Sequence, residues 1–135
     1  MTPARLIVRR RIGDIETPVG AMLKLGDDAG GERLGRYSFI GLEPQHWFRI
    51  QDGIAAVSET ADFANPLSTS DKPVQALRDF VSFAQAETDT PLPPMASGAF
   101  GYVGYDMIQH VEPVTITGAD TLDVPEALLV IPRVV

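Results

Sequence analysis

From residue 37 to residue 58 the apolar residues are mostly aromatic and β-branched and are bounded by turn residues, as in strands, and from residue 74 to residue 84 the apolar ones recur at helical spacing. That change of pattern organises the chain. "RYSFIGLEP" and "HWFRIQDGIAAVSE" predict strands, with Asp52-Gly53 as a two-residue hairpin turn, because such a turn needs positive φ. "DKPVQALRDFVSFAQA" predicts the clearest helix: Asp71 is placed to cap it, and Val74, Leu77, Phe80, Val81 and Ala84 form its apolar stripe. Between these, residues 60–71 read as a polar loop. The prolines of "ETDTPLPPM" end the helix, since proline cannot continue it. Nearer the N-terminus, "ETPVGAMLKLG" predicts a short helix with Thr17 as cap, Pro18 in the first turn and Gly26 at the end. Val19, Met22 and Leu23 share its apolar face. "DMIQHVE" predicts about two helical turns with Asp106 near the start. "TITGADTLDVP" is a loop, and "EALLVIPRVV" a helical turn followed by a buried strand.

"SGAFGYVGYD" puts glycine at 98, 101 and 104 among aromatic residues. The spacing is not that of a dinucleotide fingerprint, and no G-K-[ST] follows to make a P-loop. The pattern predicts a strand lying against another backbone, where a side chain would not fit.

The chain has 135 residues, 44% of them hydrophobic, which suits one globular domain with a modest core. It has no cysteine, so disulfides, thiol catalysis and cysteine-bound metal are excluded. Net charge is −7. Arg5, Arg9, Arg10 and Arg11 stand at the N-terminus, where alternation with Leu6 and Val8 reads as a solvated strand. The rest carries seven bases against eighteen acids, or −11, which disfavours nucleic acid and anionic membranes as partners. The chain has no membrane-spanning run and no secretory pattern, so the expected location is cytoplasmic.

His46 and His110 lack metal-ligand spacing and read as structural, one on a strand and one on a helix face. Ser38 and Ser97 do not lie in a nucleophile elbow. Asp27, Asp28, Asp120 and Asp123 are solvated loop acids. Residue chemistry alone therefore gives an α+β domain without an acid/base pair.

The ordered strings "ETPVGAMLKL", "GGERLGRYSFIGLEP", "GAFGYVGYDMIQHVE" and "DVPEALLVIPRVV" resemble the N-terminal region of anthranilate synthase component I. The match covers nearly the whole chain, most loosely over residues 52–90. The glycine block is shared with aminodeoxychorismate and isochorismate synthases, whereas "ETPVGAMLKL" with "RYSFIG" points to the anthranilate enzyme. The resemblance implies an α+β fold of antiparallel sheets with packed helices, the N-terminal part of a two-sheet fold. It further implies that residues 1–135 are an incomplete region packing on a C-terminal chorismate-binding half. The family converts chorismate and glutamine-derived ammonia to anthranilate and pyruvate, with a glutamine amidotransferase subunit as partner and Mg2+ as cofactor. Its catalytic and magnesium-binding residues lie in the C-terminal half, so this chain is expected to hold no catalytic residue and to be inactive alone. Tryptophan is the feedback inhibitor, and Pro18 and Arg36 match two positions of its pocket. In place of the family's insert ending in an L-L-E-S-like strand, only "GDDA" stands between "LKL" and "GGER". Tryptophan is therefore expected to bind weakly or not at all. Two alternatives stay open: the matching part of aminodeoxychorismate synthase component I, and a non-catalytic small-molecule or subunit-binding domain. The terminal "LLVIPRVV" reads as an open apolar strand that would promote association.

Overall fold

The computed structural model describes residues 7–9, 17, 20, 30–34, 37–85, 91–92, 96–117 and 122–135. Six strands are described: β1 (Gly30–Leu34), β2 (Tyr37–Gln51), β3 (Ile54–Ser58), β4 (Ser68–Ser70), β5 (Phe100–Val103) and β6 (Ala127–Val134). Helix α1 (Pro73–Ala84) lies between β4 and β5, and a 3-10 helix (Tyr105–His110) follows β5. The main sheet has the order β4-β3-β2-β6-β5, while β1 pairs with the first part of β2. Every pairing is antiparallel, which makes the described architecture α+β as expected.

The two predicted strands around Pro44 are one fifteen-residue strand, β2. Pro44 stands opposite Pro132 and His46 opposite Ile131, so Gln45 is an extra residue on β2. Proline has no amide hydrogen for the ladder, and a bulge is where a strand tolerates it. Glu43, with φ of 51°, adds to the local bend. Beyond it, β2 turns back at Asp52-Gly53, whose φ values of 51° and 72° are those the turn requires.

Phe48 and Ile50 of β2, Ala55 of β3, and Ala127 and Leu129 of β6 share one face of the sheet, and α1 covers it. The Phe80 ring stacks on Phe48 at 5.0 Å. Met107 of the 3-10 helix joins the same core. Apolar burial drives this packing, at roughly 2–3 kcal/mol for a phenylalanine taken fully from water. Leu77, Phe80 and Ala84 fill the stripe as expected, but Val81 is 39% exposed and faces away. The helix begins after Lys72, with no side-chain cap, so Asp71 does not take the capping role; Pro73 at the first turn fixes the entry instead.

Three further expectations are corrected and one is refined. Residues 60–71 are not all loop, since Ser68–Ser70 form β4 and Phe63 is buried beneath Arg49, whose guanidinium lies 4.4 Å from the ring centroid. "DMIQHVE" forms its two helical turns as a 3-10 helix, Tyr105–His110, with Asp106 in the first turn as expected. Ile7, Val8 and Arg9 are exposed and not in a strand. The apolar "LLVIPRVV" is not an open edge over its first half: Ala127–Val130 of β6 pair with β2 on one side and β5 on the other, while Ile131–Val134 pair with β2 alone among the described strands.

Candidate functional site

The glycine block forms β5 and the entry to the 3-10 helix. Gly101 has φ of 152°, and a Cβ there would lie 2.0 Å from the Leu128 carbonyl oxygen and 2.8 Å from Leu129 Cα. At Gly104 a Cβ would meet the Glu126 carbonyl oxygen at 3.0 Å, and the Gly104 amide donates to that oxygen at 2.7 Å. Two of the three glycines thus let β5 and its exit close onto β6. Gly98 has open space around it but a φ of 156°, a backbone need rather than a packing one. The block is a scaffold strand, as its spacing predicts.

This closure gathers three segments around one carboxylate. Glu126, at the start of β6, accepts the Gly53 amide on Oε1 at 2.8 Å. Its Oε2 contacts His110 Nε2, and both side chains are mostly buried. The hairpin turn, the 3-10 helix and β6 are thereby tied together. With both oxygens engaged, Glu126 acts as a tie between elements. Around it, Tyr102 donates its hydroxyl to the Pro125 carbonyl at 3.0 Å, and Gln51 donates its amide to Asp123 Oδ1 at 3.2 Å. Nothing local marks Glu126 for this role, since its partners are 16 and 73 residues away.

His46 is structural in another way. Its ring meets Phe83 edge-on at 5.4 Å, and its buried Nδ1 has no hydrogen-bond partner. In the loop after β3, the Asp62 carboxylate accepts the Thr60 hydroxyl at 2.6 Å and the Ala64 amide at 3.0 Å. These bonds favour the charged form and hold the Asp62 carboxyl below its ordinary range.

Pro18 and Arg36 lie outside the described residues, as do Val19, Met22, Leu23 and Gly26. Of that first predicted helix, Gly20 is helical and its amide donates to Thr17 Oγ1 at 2.9 Å, the capping bond expected of Thr17. The β1–β2 ladder runs from Gly30↔Gly41 to Leu34↔Tyr37. Among the described residues no three histidine, aspartate or glutamate side chains gather to hold a metal. No helix among them is long and apolar enough to cross a membrane.

No protein-family model matches the chain. It is similar to the anthranilate synthase component 1 of Cereibacter sphaeroides, at 34% identity over 97% of this chain and 29% of that protein. It is similar to the proteins of the same name from Thermus thermophilus, at 33% over 92% of this chain and 27% of that one, and Pseudomonas aeruginosa, at 32% over 89% and 26%. The chain thus spans less than a third of the length of these curated relatives.

Proposed function

We propose that this chain, a relative of anthranilate synthase component 1 over nearly all of its length, is the N-terminal, scaffolding region of such an enzyme. The observation that carries the reading is the 34% identity extending over 97% of the chain. Every relative named above is an anthranilate synthase, which favours this reading over the aminodeoxychorismate one. In the full-length protein, chorismate and ammonia would give anthranilate and pyruvate, with a glutamine amidotransferase as the second component. The relatives' name, component 1, is in keeping with such a partnership.

The chain's own contribution is structural. Gly101 and Gly104 bring β5 against β6, and Glu126 fixes the hairpin and the 3-10 helix to that pair. Magnesium in the full-length enzyme would be held by residues of the C-terminal half, which this chain does not include. Feedback by tryptophan belongs to the same proposal, with Pro18 and Arg36 as the contacts to test. An arginine suits a carboxylate through paired N–H donors, while the short "GDDA" connection leaves less wall for an indole.

The test is anthranilate fluorescence from chorismate, ammonia and magnesium. The full-length protein should turn over and residues 1–135 alone should not. A full-length protein that forms no anthranilate would overturn the reading. Calorimetry with tryptophan, on full-length protein with and without Arg36→Ala, tests the inhibitor site separately.

A further inference from the structure

Asp52-Gly53 is the one Asp-Gly sequence in the chain, which has no Asn-Gly. The pair carries its own chemistry. Glycine has no side chain to shield its nitrogen, and an aspartate carboxyl carbon can close a five-membered ring with the amide nitrogen of the next residue. When the Gly53 nitrogen bonds to Asp52 Cγ, the amide proton and the carboxyl hydroxyl leave together as one water, and a cyclic imide forms. Water then adds to one imide carbonyl. Cleavage of the nitrogen–Cγ bond restores aspartate. Cleavage of the nitrogen's bond to the Asp52 main-chain carbonyl leaves Gly53 attached through Cγ, an isoaspartyl linkage. One water leaves and one returns, so the composition is unchanged and no oxidant or cofactor enters.

The fold acts on that nitrogen in three ways. The Gly53 amide donates to Glu126 Oε1 at 2.8 Å in a part-buried contact. The nitrogen attacks only after giving up its proton, and a carboxylate beside it disfavours the resulting anion, as any like charge does. The Gln51↔Ile54 pair closes the hairpin around the turn, whose φ values of 51° and 72° set both residues and restrict the rotation that brings the nitrogen onto Cγ. Behind the turn, His110 Cε1 lies 3.5 Å from where a Gly53 Cβ would stand, and His110 Nε2 is itself held by Glu126 Oε2. Asp52 is exposed, so water reaches its carboxyl. We infer that Asp52-Gly53 is an isoaspartate-forming site of this protein, held in check by Glu126 through its grip on the Gly53 amide. Glu126 is a positioning residue here: it keeps the nitrogen protonated and turned away from Cγ. Once the isoaspartyl linkage forms, its extra main-chain methylene no longer suits a two-residue turn, and the hairpin loses its tie to β6.

The experiment ages the full-length protein at neutral pH under conditions where urea melts show every variant folded. Isoaspartate is read in two ways: fragmentation mass spectrometry of the tryptic peptide that begins at Ile50, and methyl transfer from labelled S-adenosylmethionine by an isoaspartyl methyltransferase. A hydrogen bond to a charged group sets the scale, about tenfold in the population of free amide. Conversion at Asp52 should be slower by at least about that factor than in a synthetic peptide of residues 47–58, and Glu126→Ala should raise it by about as much. Glu126→Gln keeps an acceptor without the charge and should raise it less. Phe80→Ala weakens the core without touching the clamp and should leave the rate near that of the parent protein. Asp52→Ser removes the carboxyl and should abolish the product at this position. The inference is overturned if the folded protein converts as fast as the peptide, if Glu126→Ala leaves the rate unchanged, or if Phe80→Ala raises it as much as Glu126→Ala does. Should Glu126→Ala fail to fold, Glu126→Gln against Phe80→Ala decides, and equal rates overturn the inference.

Discussion

His110 Nε2 and the Glu126 carboxylate are in direct contact, although 16 residues separate them, and the same carboxylate holds the Gly53 amide across 73 residues. A single acidic side chain therefore fixes the relative positions of the hairpin, the 3-10 helix and β6. Its removal leaves a part-buried donor unpaired as well as a lost contact. A hydrogen bond to a charged group contributes about 1.5–3 kcal/mol, and an orphaned buried donor costs about 1–3 kcal/mol. Glu126→Ala should destabilise the fold by about 2–4 kcal/mol and His110→Ala by about 1–2 kcal/mol, allowing for partial exposure. Urea melts of both variants and the double variant give the coupling. Strict additivity would mean that the pair does not interact.

Gly101 and Gly98 have nearly the same φ but different surroundings. Alanine at Gly101 must displace the Leu128 carbonyl from 2.0 Å, so Gly101→Ala should cost more than about 3 kcal/mol or prevent folding. Gly98→Ala meets nothing within 4 Å and carries backbone strain alone, about 1–2 kcal/mol. Thermal melts that rank the two variants equally would refute the close approach of β5 to β6.

Phe80 stacks on the fully buried Phe48, and Val81 next to it is exposed. Phe80→Ala should lower stability by about 3–5 kcal/mol through lost burial and the cavity left behind. Val81→Ala should stay within about 0.5 kcal/mol. Denaturant midpoints for the two variants decide between this helix orientation and one with Val81 inward.

The Thr60 hydroxyl bond is the largest cause of the depressed Asp62 carboxyl, followed by the Ala64 amide. A carboxyl depressed in the folded state contributes stability above its unfolded value, and that contribution is lost as pH falls through the folded value. Side-chain carboxyl titration by NMR should find Asp62 ionising below the ordinary aspartate value of 3.8. Thr60→Val should move it back upward. No movement would show that the hydroxyl bond is absent in solution.

What the sequence determines is what short-range physics decides. Asp52-Gly53 specifies its turn because aspartate followed by glycine tolerates the positive φ that both turn positions require. The helix around Phe80 follows from its own period, and the Thr17 cap from a bond three residues long. The glycine spacing at 98, 101 and 104 announces close approach, but not what is approached; the Leu128 and Glu126 carbonyls are supplied by β6. Side-chain period leaves the outward turn of Val81 undecided, because the stripe it suggests is wider than the face the sheet covers. Tertiary structure alone decides that β6 is interior and that β4 pairs on β3. It also alone joins His110, Gly53 and Glu126. Strand order and such contacts depend on which distant segments meet, and residue pattern is local while that meeting is not.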